Sequence, residues 1–180
     1  MGHLNVEIKA WSVEHERIKA LLQERHADFR GIDHQIDTYF NTRQGRLKLR
    51  EGTIEQNLIY YERENTDGPK DSKVILYHFD GNRALKEILT KAMGVLTVVD
   101  KQREIYFIEN VKFHLDTVVD LGRFVEIEAI SEKGAIQTEK LQEQCEYYKK
   151  LLEIKDEDLI WGSYIDMLIE KMESIKTNRK

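Results

Sequence analysis

Charged residues recur at every second position in several short stretches, and their signs are sorted. Arg46, Lys48 and Arg50 alternate with leucines, and Lys101 and Arg103 flank a single glutamine. Glu126 and Glu128 stand in Phe-Val-Glu-Ile-Glu, Asp116 follows His114 by two, and Glu7 precedes Lys9 by two. An ordinary half-buried strand puts charge on its wet face, which accounts for the alternation but not for the segregation of sign. If the basic and acidic faces converge, they suit one kind of chemistry. Two cations 6 Å apart repel by roughly 3 kcal/mol at an effective dielectric of about 20, so a cluster of them calls for a polyanion. Lys and Arg neutralise phosphate oxygens, while paired carboxylates hold Mg²⁺ or Mn²⁺ through hard oxygen ligands and bridge it to the same phosphates. The pattern points to a metal–triphosphate site.

The elements that must position these residues are mostly strands. Period-two alternation marks residues 4–11, 34–40, 46–51, 56–63, 72–79, 95–108, 111–118 and 123–130. Helical periodicity predicts segments at 13–26 after a cap at Ser12, at 82–93 after Asn82, at 135–152 and at about 156–175. Turn residues cluster at Thr42–Gly45, at Asn65–Asp71 around the only proline, Pro69, and at Asp80–Asn82. Strands joined by short turns with few helices between them imply an α+β fold on an antiparallel sheet. About eight strands suffice to close a barrel.

The chain has 180 residues, 41% of them hydrophobic, enough for one core and too few for two ordinary domains, so residues 1–180 are expected to form a single domain. Lys and Arg total 28 against 33 acids, a net charge of −5, which argues against bulk electrostatic binding to nucleic acid or a membrane. Cys145 is the single cysteine, excluding an intrachain disulfide, and the N-terminus lacks a secretory apolar run, so a cytoplasmic location is expected. None of the six histidines pairs at i, i+4 with a third ligand; His15 and His26 read as surface or satisfied residues. His114 shares a strand face with Asp116 and suits either water ordering, phosphate contact or a structural bond. Tyr60, Tyr61, Tyr106 and Phe107 are expected to pack, and Cys145 to be an ordinary helix residue.

Taken in order along nearly the whole chain, these motifs resemble the CYTH family of triphosphate tunnel enzymes, which includes class IV adenylyl cyclases, thiamine triphosphatases and inorganic triphosphatases. Asn5-Val-Glu7-Ile-Lys9 is similar to the family's ExExK. Gln35-Ile-Asp37-Thr-Tyr39-Phe40, Gly45-Arg46-Leu-Lys48-Leu-Arg50-Glu51, Leu58 to Arg63, Gly68-Pro69-Lys70-Asp-Ser72, Lys101-Gln-Arg103, His114-Leu-Asp116, Gly122 to Glu128 and Gly162-Ser163-Tyr164-Ile-Asp166-Met-Leu168 look like its later signatures. The resemblance is nearest to class IV cyclase-like proteins.

That resemblance implies a closed eight-stranded antiparallel β-barrel with helices packed outside. It also implies that Lys9, Lys48, Arg50, Arg63, Lys101 and Arg103, with Lys70 on a loop as an addition, grip phosphate oxygens. Glu7, Asp116, Glu126 and Glu128 would be the metal ligands, and Glu7, Lys9, Glu126 and Glu128 the catalytic set. The implied ligands are Mg²⁺ or Mn²⁺ and a triphosphate: ATP, tripolyphosphate or thiamine triphosphate. Cyclisation of ATP to cyclic AMP and pyrophosphate leads, with hydrolysis and a non-catalytic binding role as alternatives; class IV relatives also imply a homodimer. Asn5 departs from the pattern, since it replaces the first glutamate of ExExK with a neutral oxygen and puts a second metal in doubt. Lys112 stands where relatives often have Arg, keeping charge without the bidentate fork.

Overall fold

The computed structural model describes residues 2–63, 70–81, 83–132, 135–160 and 162–177, with only the backbone described at residues 2, 3, 63, 70–72 and 176. Eight strands, β1 (Gly2–Trp11), β2 (Asp28–Phe40), β3 (Arg46–Gly52), β4 (Gln56–Arg63), β5 (Lys70–His78), β6 (Val95–Ile108), β7 (Val111–Val118) and β8 (Gly122–Glu132), close into a barrel in the order β1-β5-β4-β3-β2-β6-β7-β8. Every neighbouring pair is antiparallel. Among the described residues four α-helices accompany them: α1 (His15–Glu24), α2 (Arg83–Met93), α3 (Thr138–Leu151) and α4 (Tyr164–Thr177).

This barrel wears its core on the outside. Val6, Ile8 and Ala10 of β1, Val111, Phe113 and Leu115 of β7, and Val125, Ile127 and Ala129 of β8 face outward against Ile18 and Leu22 of α1 and Leu141 and Cys145 of α3. Each fully buried Leu, Ile, Val or Phe contributes roughly 1.5–3 kcal/mol, so this outer shell, not the lumen, carries most of the hydrophobic stabilisation. A second cluster joins Tyr164 and Ile165 of α4 to Tyr39, Val99, Val118 and Phe124, and a third joins Leu85, Leu89 and Met93 of α2 to Phe40, Leu49 and Phe79. With the apolar positions of β1, β7 and β8 spent on the helices, the period of two leaves the polar ones of these strands facing in.

Some boundaries differ from the sequence reading. β2 begins at Asp28, six residues before the expected 34, because Asp28 to Ile32 break the alternation; a register shift at Gly31 (φ 125°) lets this stretch pair with β6. The first helix starts at His15, since the Ser12 amide is used by the Arg123 carbonyl and Glu14 caps without a side-chain bond. The last helix is two pieces, a 3₁₀ turn at Asp156–Asp158 and α4. The chain between them is tied to β1 through Ile160 N to Lys9 O, and α4 restarts where Asp166 accepts from the Ser163 amide and hydroxyl. Lys70 and Asp71, expected in a loop, begin β5. The Asn82 cap and the segment around Pro69 lie outside the described residues. No described helix is long and apolar enough to cross a membrane.

Candidate active site

The lumen is a cavity of about 370 Å³, and among the described residues it takes its charged lining from the inward positions of six strands and from Glu55 in a turn. On β1, β8 and β7 the register sets Glu7 opposite Glu128 and Glu128 opposite Lys112, then Lys9 opposite Glu126 and Glu126 opposite His114. On β3, β2 and β6 it sets Arg50 opposite Asp37, with Lys101 and Arg103 two residues apart on the same face.

Asp37 is the hub of the cations. Arg50 donates to it through Nε (2.8 Å) and Nη2 (2.9 Å), and Lys48 Nζ (2.9 Å) and Lys101 Nζ (2.8 Å) donate to the same carboxylate. Burial alone would raise the Asp37 carboxyl, but the charges of Arg50, Lys101 and Lys48 hold it well below the usual range. Burial lowers the Lys101 ammonium to about 7; Asp37 opposes that shift, and Arg50, Arg103 and Lys48 add to it.

Arg103 is fixed by a fork onto Asp116, Nε to Oδ1 at 2.7 Å and Nη2 to Oδ2 at 2.6 Å, and also donates to Glu126 at 3.0 Å. The Tyr164 hydroxyl donates to Asp116 at 2.7 Å, so α4 locks this pair from its end of the barrel. Lys9 Nζ lies 3.4 Å from Glu126 and 4.3 Å from the centre of the Tyr164 ring. Glu128 accepts from the Asn5 amide, and its carboxyl is raised to about 7 by enclosure in the barrel, with Glu126 and Glu7 reinforcing the shift against Lys112. The Asn5 carbonyl oxygen and His114 Nε2 are buried with no hydrogen-bond partner among the described residues, while His114 Nδ1 lies 3.5 Å from the Glu126 carboxylate. The remaining wall, Ile59, Tyr61, Val74 and Leu76 on β4 and β5, is mainly apolar.

Lys9, Lys48, Arg50, Lys101, Arg103, Glu7, Glu126 and Glu128 thus line a single lumen. Asp116 does not; its oxygens are taken by Arg103 and Tyr164, an arrangement different from the expected metal ligand. Arg63 and Lys70 lie on β4 and β5, and their side chains are outside those described. Arg46 leaves the lumen for α4, where it forks onto Asp166. Sequence reasoning missed Glu55, which reaches the lumen from a turn, and the hub role of Asp37. His15 is buried and satisfied by the Phe124 carbonyl at 3.0 Å; Cys145 packs beneath the barrel, its thiol on the Val6 carbonyl.

The CYTH domain model matches residues 3–164. The chain belongs to the CYTH family. Among curated proteins none matches it in sequence. The PH1012 protein of Pyrococcus horikoshii is similar in structure, at 27% identity and a TM-score of 0.76, over 90% of this chain and 98% of its own. A candidate adenylate cyclase of Vibrio parahaemolyticus shares the fold at 16% identity and a TM-score of 0.75, over 93% and 99% of the two chains. So does a candidate adenylyl cyclase of Hippeastrum described as revealing a dominant triphosphatase activity, at 13% identity and a TM-score of 0.62, over 94% and 96%.

A CYTH tunnel invites a divalent cation, and the donors here fit one of a particular kind. Among the described residues no three His, Cys, Asp or Glu side chains surround a common point. Yet Glu7, Glu126 and Glu128 line the cavity, and the unpartnered Asn5 carbonyl adds a neutral oxygen beside them. Mg²⁺ is commonly held by one or two carboxylates plus substrate phosphates, not by an all-protein cage. Among the described residues, six cations and six acids line the lumen.

Proposed function

We propose that the tunnel is the active site of a divalent-metal-dependent enzyme acting on an organic triphosphate, and that the reaction is cyclisation of ATP to cyclic AMP and pyrophosphate. The observation that carries this reading is a cavity with fixed cations and carboxylates on one side and Ile59, Tyr61, Val74 and Leu76 on the other. Phosphates suit the first wall and a nucleoside the second.

Lys9, Lys48, Lys101 and Arg103 bind phosphate oxygens, with Arg103 aimed by Asp116 and Tyr164. In cyclisation the ribose 3′-oxygen bonds to the α-phosphorus, the bond from that phosphorus to the β-bridging oxygen breaks, and the hydroxyl proton passes to a carboxylate of the acid wall. The cations stabilise charge on the departing pyrophosphate. Glu7, Glu126 and Glu128 would hold Mg²⁺ or Mn²⁺, which supplies Lewis-acid polarisation of the phosphate and hydroxyl oxygens. Hydrolysis of a terminal phosphate is the second reading. It is favoured by the Hippeastrum protein, whose shared fold is described with a dominant triphosphatase activity.

The test is a product assay with ATP, tripolyphosphate and thiamine triphosphate in Mg²⁺ and in Mn²⁺, with Glu126→Gln as control. Cyclic AMP with equimolar pyrophosphate, reduced at least about 100-fold in the variant, supports the cyclase. Orthophosphate alone moves the protein to the triphosphatases, and no product with triphosphate-induced thermal stabilisation indicates a binding module.

A further inference from the structure

The turn between β3 and β4 is built to deliver one side chain into the lumen. A Cβ at Gly52 would stand 2.5 Å from the Glu55 carbonyl oxygen and 2.8 Å from both Asp33 carboxylate oxygens, so glycine is what lets the turn close. Asp33, buried on β2, accepts from the Ile54 amide (2.8 Å), the Glu55 amide (3.0 Å), the Thr53 hydroxyl (2.9 Å) and the Gln35 side chain (2.7 Å). The turn so fixed directs Glu55 inward. There Arg50 Nη1 donates to one carboxylate oxygen at 2.8 Å and Gln35 Nε2 at 3.1 Å, while Lys112 Nζ holds the other.

A carboxylate and a phosphate oxygen compete for the same donors. The acids that sit on the tunnel's cations differ in how readily they give way. Asp37 and Asp116 are sealed within the wall, with side chains 2% and 0% exposed, whereas that of Glu55 is 20% exposed at the cavity. Arg50 makes its fork on Asp37 through Nε and Nη2, separately from the Nη1 bond to Glu55. Arg50 and Lys112 therefore form an anion position that the chain fills with its own side chain, leaving Lys9, Lys48, Lys101 and Arg103 to the substrate.

We propose that Glu55 is a specificity-determining residue that limits the length of the phosphate chain, its carboxylate occupying the anion position at Arg50 and Lys112 that a longer linear polyphosphate would otherwise take. This rests on the reading of the tunnel as a triphosphate site. Calorimetric titration with pyrophosphate, tripolyphosphate and tetrapolyphosphate, in EDTA and again with Mg²⁺, tests it, in the native chain, Glu55→Gln and Glu55→Asp, with circular dichroism and melting curves to establish folding.

Removing one like charge at close range should raise the affinity of Glu55→Gln for tetrapolyphosphate about tenfold or more and for pyrophosphate less than about twofold. Glu55→Asp keeps the charge but withdraws it by one methylene, and should shift the preference the same way by a smaller factor; it carries the test if Glu55→Gln melts early. An equal gain at all three lengths, or a loss, overturns the proposal, since the carboxylate would then act only on the general field or as a pillar of the turn. If the native chain binds none of the three, the triphosphate reading fails and takes this inference with it. If it binds tripolyphosphate and neither variant changes the length preference, only the role of Glu55 fails.

Discussion

Asp37 and Glu128 are carboxylates of one tunnel with opposite fates. Asp37 gathers Arg50, Lys48 and Lys101, and its carboxyl is held well below the ordinary range. Glu128 faces Glu7 across the β1–β8 ladder, has Glu126 near it and an amide from Asn5, and is raised to about 7. On the cation side the described Arg50, Lys48 and Lys101 each reach a carboxylate in the free chain, and Arg103 has Asp116. On the acid side like charges crowd together, and among the described residues the Asn5 carbonyl and His114 Nε2 lack hydrogen-bond partners. A complete cluster serves as scaffold and receptor at once, while an incomplete one is a demand for a ligand. The two halves suit a substrate that brings both its anion and its metal.

If that contrast holds, the largest effect should follow from removing the hub. Asp37→Asn leaves Lys48 and Lys101 converging without the carboxylate they share and Arg50 with Glu55 alone, and breaking a buried ion cluster from one side costs about 3–5 kcal/mol. Urea denaturation of variant and native chain measures it. Should the loss be under about 1 kcal/mol, the cations are held by their strands and Asp37 is no hub.

The acid side is sharpened by restoring the missing charge. Asn5→Glu would set a third carboxylate beside Glu7 and Glu128, lowering the stability of the free chain by about 1–2 kcal/mol through repulsion at an effective dielectric near 20. The same change should raise Mn²⁺ bound per chain from one to two in the presence of tripolyphosphate, counted from the free Mn²⁺ resonance signal. An unchanged count would mean that Asn5 costs the tunnel no metal position.

What the sequence could disclose follows from how each contact is made. Lys48 with Arg50, Lys101 with Arg103, and Glu126 with Glu128 are same-face neighbours two residues apart, so strand periodicity alone placed them together. The barrel was legible for the same reason, because alternation over eight segments leaves one face of each for a shared interior. Asp37 was visible as a motif but not as a hub, since Lys101 meets it across 64 residues of chain. Glu55 gave no signal at all: it stands in a turn without periodicity and finds Lys112 across 57 residues. The break ahead of α4 depends on the Ile160–Lys9 backbone bond, a tertiary contact that overrode a continuous helical pattern.

The smallest effect concerns proton exchange on the cation side, and it separates scaffold from receptor within that cluster. Burial brings Lys101 to about 7 in the free chain, with Arg50, Arg103 and Lys48 working in the same direction against Asp37. At Lys101 the unfolded chain therefore binds more protons than the folded one between pH 7 and about 10.4, so this group's contribution to stability rises with pH across that window and is flat below it. A triphosphate beside Lys101 adds negative charge, raises the ammonium's pKa and draws in a proton. At pH 6 the lysine is already charged and none should be taken up. At pH 8.5 uptake should approach one proton per triphosphate, with affinity falling by up to about tenfold per pH unit above 7. Calorimetry in two buffers of different ionisation enthalpy counts that proton, and Lys101→Met should abolish the difference between the two pH values. Equal uptake in native and variant chains would place the phosphates away from Lys101 and leave it, with Asp37, to the scaffold alone.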